Sequence, residues 1–129
     1  MPLVEYRLKT QLEIGTLLNG EKFILPLDFV TRTLGLIGIR GSGKTVAATV
    51  IAEEMCEAGL PWVAIDPVGV WFGLRVNPDG TPGGYPVVIL GGEHADIPIE
   101  KHMGPQIADA VLQENVSCVI DLSRESKNT

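Results

Sequence analysis

Gly38-Ile39-Arg40-Gly41-Ser42-Gly43-Lys44-Thr45 is the run of residues in this chain whose types and spacing most plainly serve a chemical purpose, because it fits GxxxxGK[ST]. A triphosphate concentrates negative charge that must be met without bulky side chains blocking the backbone. Gly38, Gly41 and Gly43 allow that approach. Backbone N–H groups from Arg40 to Val46 are expected to point at the α and β phosphates, assisted by the positive end of a helix beginning near Lys44. Lys44 is placed to bridge the β and γ phosphates, which makes it the candidate catalytic cation. The Thr45 hydroxyl is placed to ligate Mg²⁺, an ion that prefers oxygen ligands and keeps several waters. The expected nucleotide-binding set is therefore Gly38, Ile39, Arg40, Gly41, Ser42, Gly43, Lys44, Thr45 and Val46.

Such a loop needs a strand before it and a helix after it. Thr33 to Ile37 (TLGLI) reads as a brief buried strand running into the loop. From Thr45 onward Ala47, Val50, Ile51, Met55 and Ala58 recur at helical spacing, with Glu53, Glu54 and Glu57 expected on the opposite face. Gly59 ends that helix, Pro61 prevents its resumption, and Trp62 to Ile65 begins a second strand stopping at Asp66-Pro67. The pattern predicts a strand, helix, strand unit with a right-handed parallel crossover. Upstream, residues 12–18 and 23–29 read as two short strands joined at Asn19-Gly20, a sequence suited to a tight hairpin turn. Downstream, residues 77–84 (NPDGTPGG) read as a surface loop, residues 85–90 as a third strand, Pro105 to Glu114 as a helix, and Val116 to Leu122 as a fourth strand. Alternating β and α elements indicate an α/β layer fold.

Other residue groups admit chemistry but fit blander explanations. Asp66 to Gly69 matches a DxxG pattern, yet Lys44 lies too close upstream to leave room for a switch strand and its metal-binding threonine. His94, Asp96, Glu100 and His102 cluster in sequence without a recognised zinc spacing, so loop polarity accounts for them. Trp62 and Trp71 read as core or loop anchors, and Arg40 as solvated. Cys56 and Cys118 sit in apolar runs with no CxxC pair, as buried thiols do in a reducing compartment.

The chain has 129 residues and a formal net charge of −6, and residues 61–129 hold nine acidic against four basic side chains. Nucleic-acid affinity rests on clustered Lys and Arg, so this balance argues against a self-sufficient binder of the phosphate backbone. A motor that grips DNA only as an oligomer remains compatible with it. No apolar run is long enough for a bilayer span, and the N-terminus has no signal-peptide core, which leads to an expectation of a cytoplasmic protein with no membrane partner.

The phosphate loop after a short β segment, then a helix, then a strand ending in Ile65-Asp66-Pro67-Val68-Gly69-Val70-Trp71, resembles the HerA/FtsK group of P-loop ATPases. Members similar to the HerA helicase central domain carry an IDPxG-type segment there. Ile89-Leu90-Gly91-Gly92-Glu93-His94-Ala95-Asp96-Ile97-Pro98 is also similar to ATP-binding proteins of that group, and the resemblance covers about residues 12–125. It implies a RecA-like ATPase core with a parallel sheet, using ATP and Mg²⁺, often hexameric and moving on or along DNA. Membership would also bring Asp66, inside the IDPxG segment, to the γ-phosphate edge as a water-mediated metal partner, with Asp121 as the competing strand-end acid.

One departure matters. The Asp-Glu pair that ends an apolar strand in this family is missing, since Leu122 follows Val119-Ile120-Asp121. In the family a similar strand precedes the one bearing the pair, which leads to the expectation of an N-terminal fragment of a longer ATPase, slow or inactive alone. The resulting reading is a β extension over 1–32 and an incomplete RecA-like P-loop core over 33–129, with DNA as partner only within a longer homo-oligomeric motor. Two other readings stand beside it. A small nucleotide or metabolite kinase requires an arginine-rich lid, whereas only Arg75 and Arg124 follow the loop. A non-catalytic nucleotide-binding module is favoured if the chain is complete at Thr129.

Overall fold

The computed structural model describes residues 10–125; residues 1–9 of the expected β extension and the last part of the polar ending, 126–129, lie outside the described residues. The fold divides into two compact units, one up to Gly59 and one from Leu60 onward.

In the first unit, β1 (Gln11–Thr16) pairs antiparallel with β2 (Lys22–Pro26), and a bulge between Glu13 and Gly15 shifts the register. Leu12 is fully buried. The turn is not the two-residue type expected from Asn19-Gly20. Leu17 N–H donates to Glu21 O and Leu17 O accepts from Gly20 N–H, leaving a three-residue loop with Gly20 at φ 88°. That left-handed glycine closes a type I turn in a form that matches strand twist. The second strand also stops earlier than expected. Pro26 has no N–H to carry the ladder onward, and Leu27–Thr31 forms a 3-10 turn instead.

Helix α1 (Lys44–Glu57) packs on β1, and Glu13 N–H donates to Glu54 Oε2 at 3.3 Å. Gly59 at φ 72° ends the helix as expected, its N–H bonded to Cys56 O. The expected two-faced helix is only partly realised, because Ala52 is its buried residue while Glu53 and Glu54 are half-buried. Burial, then the neighbouring Glu57 and Glu54 carboxylates, push the Glu53 carboxyl above its usual range.

The expected first core strand is overturned. Thr33 to Ile37 has no ladder partner among the described residues, and Ile37 is 99% exposed. A buried parallel strand needs neighbours on its hydrogen-bonding edges and cover on its faces, and these residues have neither. Without that strand, the crossover unit expected from it through α1 is not formed among the described residues.

The second unit holds β3 (Val63–Asp66), β4 (Val87–Leu90), α2 (Gly104–Glu114) and β5 (Ser117–Asp121), an α/β arrangement around a parallel sheet of order β3-β5-β4. The central position of β5 explains why Ser117, Cys118, Val119 and Asp121 are all buried. Helix α2 carries Pro105 in its first turn, where a missing N–H costs nothing, and is capped by Asn115, a left-handed residue at φ 53°. Ile107 and Val111 line an apolar cleft with Val88, Leu90 and Cys118. The stretch after Asp66 is more ordered than a surface loop. Trp71–Arg75 forms a 3-10 helix that buries Leu74, and Val76 bridges to Pro82. No helix among the described residues is long and apolar enough to cross a membrane.

Candidate nucleotide-binding site

The loop expected to hold phosphate is shaped by its glycines. Gly41 and Gly43 hold φ of 79° and 92°, a region L side chains resist, and a Cβ on Gly38 would strike the Ser42 hydroxyl. Gly43 occupies the N-cap of α1 without a side-chain cap, so the first turn keeps its donors. Of the backbone N–H groups from Arg40 to Val46, only that of Ser42 has a protein acceptor among the described residues, Ile39 O at 3.2 Å. The remaining amides, at the positive end of α1, form an array suited to phosphate oxygens.

Lys44 Nζ donates to Gly38 O and Ile39 O, each at 2.7 Å, so the ammonium is folded over its own loop. Both acceptors are neutral carbonyls, which a phosphate oxygen can replace with a stronger charge-assisted bond. Thr45 is exposed and its hydroxyl has no partner among the described residues, leaving an oxygen for a hard cation. Arg40 is exposed, as expected, as are Ile39 and Val46.

In the second unit the two strand-end acids are register partners, Asp66 on β3 and Asp121 on β5. Asp66 is buried, and its oxygens accept four backbone N–H groups. Oδ1 takes Val68 at 3.0 Å and Gly69 at 2.8 Å; Oδ2 takes Val70 at 2.7 Å and Trp71 at 2.9 Å. Burial works to raise its pKa, but the N–H groups of Trp71, Gly69, Val68 and Val70 outweigh it and hold the carboxyl below its usual range. A carboxylate offers about four lone-pair sites, and here the loop has taken four. Asp121 Oδ1 accepts the Ser123 N–H at 2.9 Å, while a Cβ on Gly92 would collide with Oδ2.

The sequence profile of the Helicase HerA central domain matches residues 12–124. The chain belongs to the HerA central-domain family. No curated protein and no solved structure matches it.

The other residues singled out from sequence in this HerA-type domain have local partners. His102 lies 3.4 Å from Glu100, His94 stacks on Phe72, and Asp96 pairs with Arg75 while accepting the Ile89 N–H. These His and acid residues do not gather, and no group of three or more His, Cys, Asp or Glu side chains that could hold a metal ion occurs among the described residues. Trp62 and Trp71 pack against each other with ring centroids 5.9 Å apart. Two features of the HerA domain were not anticipated from sequence: the Phe72 and His94 stack, and the glycines pressed against Asp121. The first joins residues far apart in the chain, so no local pattern announces it. The second has a trace in Gly91-Gly92, a pair placed directly after an apolar strand.

Proposed function

We propose that the chain is an ATP-binding, RecA-like domain of a helicase or translocase type of ATPase, with ATP and Mg²⁺ held through residues 38–46. Family membership supports the ATPase class, and the uncommitted amide array with Lys44 at its centre is the observation that carries the nucleotide assignment. The loop amides would hold phosphate oxygens, and Lys44 would leave the Gly38 and Ile39 carbonyls to neutralise developing charge between the β and γ phosphates. The Thr45 hydroxyl fits Mg²⁺, which supplies charge neutralisation when bound.

Asp66 fits a different task from the water-mediated metal contact implied by resemblance. Its lone pairs organise residues 68–71, so its contribution in this reading is to fix the loop that follows β3. Coupling of hydrolysis to DNA movement, assembly into a homo-oligomeric ring and a cytoplasmic location complete the proposal. These draw on the family and on an acidic charge balance that leaves DNA contact to the assembled motor.

Calorimetric titration with ATP and Mg²⁺ tests the core of it. Lys44→Ala is expected to lose most of the affinity, and equal binding by both proteins refutes the site.

A further inference from the structure

A second cleft lies within the second unit, and none of its lining residues belongs to the phosphate-loop assignment. It has a volume of about 440 Å³ and is lined by Phe72, Arg75, Val76, Ile89, His94 and Asp96. That size lies within the about 300–1,000 Å³ common for small-molecule sites. Ile89 lies on β4 and the rest of the lining comes from the segments that follow β3 and β4, and ligands of open parallel sheets gather at such carboxyl ends.

The Phe72 and His94 rings stack with centroids 3.8 Å apart and planes 22° from parallel. His94 is exposed and Phe72 half-buried, so an imidazole from a loop already rests on a fixed benzene ring as a flat heterocycle would. Arg75 uses Nη1 on Asp96 Oδ2, and its other N–H donors have no acceptor among the described residues. A guanidinium carries five N–H groups, so a planar fork of donors stands at the cleft with its charge balanced by Asp96. Balanced charge disfavours a bare phosphate, whereas an aromatic face beside unpaired planar donors matches a neutral ring with an acceptor edge.

We propose that this cleft binds a nucleobase, which takes the place of the exposed His94 ring on Phe72 and is hydrogen-bonded at its acceptor edge by Arg75. The base can arrive on a free nucleoside or nucleotide, or as one unit of a single strand, since every base offers a π-face.

The histidine ring resonances of the full chain report on the site, because His94 and His102 are its two histidines and His102 sits beside Glu100. Adenosine is the first probe, since it has no phosphate for the loop at 38–45 to hold, and a dodecamer of thymidylate is the second. Both are titrated into wild type and Lys44→Ala. Saturable movement of His94 but not His102 with adenosine, retained in Lys44→Ala, supports the site and names a nucleoside or nucleotide as its ligand. The same movement with the strand alone supports it and names single-stranded nucleic acid. A His94 resonance unmoved by either probe at millimolar concentration overturns the proposal.

Phe72→Leu keeps apolar bulk and removes the ring, and base stacking is worth about 1–3 kcal/mol, so binding should weaken about 5- to 150-fold. Native-like tryptophan fluorescence checks that this variant folds; if it does not, Arg75→Lys takes its place, keeping the charge beside Asp96 while losing the fork. Wild-type affinity in the folded variant overturns the proposal.

Discussion

Replacing Asp66 by asparagine removes one negative oxygen from a buried site and puts an NH₂ group in its place. The four N–H groups of residues 68–71 approach the two oxygens in pairs, so the asparagine side chain would satisfy one pair and oppose the other. Hydrogen bonds to charged groups contribute about 1.5–3 kcal/mol each, and losing two gives about 3–6 kcal/mol. Native stability of a domain is about 5–15 kcal/mol, so the substitution should remove much of it. Trp62 and Trp71, the chain's two tryptophans, both lie in this unit, and Trp71 is itself a donor to Asp66. Urea unfolding followed by tryptophan fluorescence therefore reads this region alone. With a slope of about 1–3 kcal/mol per molar urea, the midpoint should fall by at least about 1 M.

The pH dependence gives an independent check. The carboxyl of Asp66 titrates lower in the folded protein than in the unfolded chain, so its stabilisation is present above the unfolded value, near about pH 3.9, and is lost as pH falls through the folded value. Wild type should lose its advantage over Asp66→Asn as pH drops below about 4. A midpoint for Asp66→Asn within about 0.3 M of wild type at neutral pH would show that the four N–H groups do not depend on the carboxylate, and the reasoning fails.

The remaining expectations concern turnover, glycine positions and thiols. The 129-residue polypeptide has no Asp-Glu pair ending an apolar strand, so steady-state ATP hydrolysis should stay below about 0.01 s⁻¹, against about 1–10³ s⁻¹ for typical enzymes; faster turnover abolished by Lys44→Ala would reveal a catalytic group already present. Gly92→Ala meets the Asp121 carboxylate at a left-handed φ of 74° and should cost more than about 2 kcal/mol by thermal unfolding, whereas Gly20→Ala, at φ 88° in open space, should cost about 1 kcal/mol. Equal losses would mean that strain, not the carboxylate, sets the cost. Burial pushes the Cys118 thiol up, and it lies on the central strand, so a disulfide reagent at pH 8 should label half-buried Cys56 first; the reverse order would contradict the burial of β5.

The shape of the glycine-rich loop was legible because its information is local. Residues 38–45 combine positive φ at Gly41 and Gly43, bare backbone and one cation, all properties of adjacent residues, and the helix from Lys44 with its glycine stop at Gly59 follows from the same short-range rules. The strands at Val63, Val87 and Ser117 were visible as apolar runs bounded by turn residues. The same run type misled at Thr33 to Ile37, since periodicity records what a segment can bury and not whether a partner covers it. Asp66 shows the boundary most clearly. Its place at a strand end was readable, but the taking of its oxygens by four N–H groups depends on how residues 68–71 fold back over it. Strand order β3-β5-β4, the burial of Asp121 against Gly92, and the meeting of Phe72 with His94 join residues distant in sequence. Local propensity and spacing settle which elements form; which side chains meet is settled by packing, where shape and hydrogen-bond satisfaction across the whole unit decide.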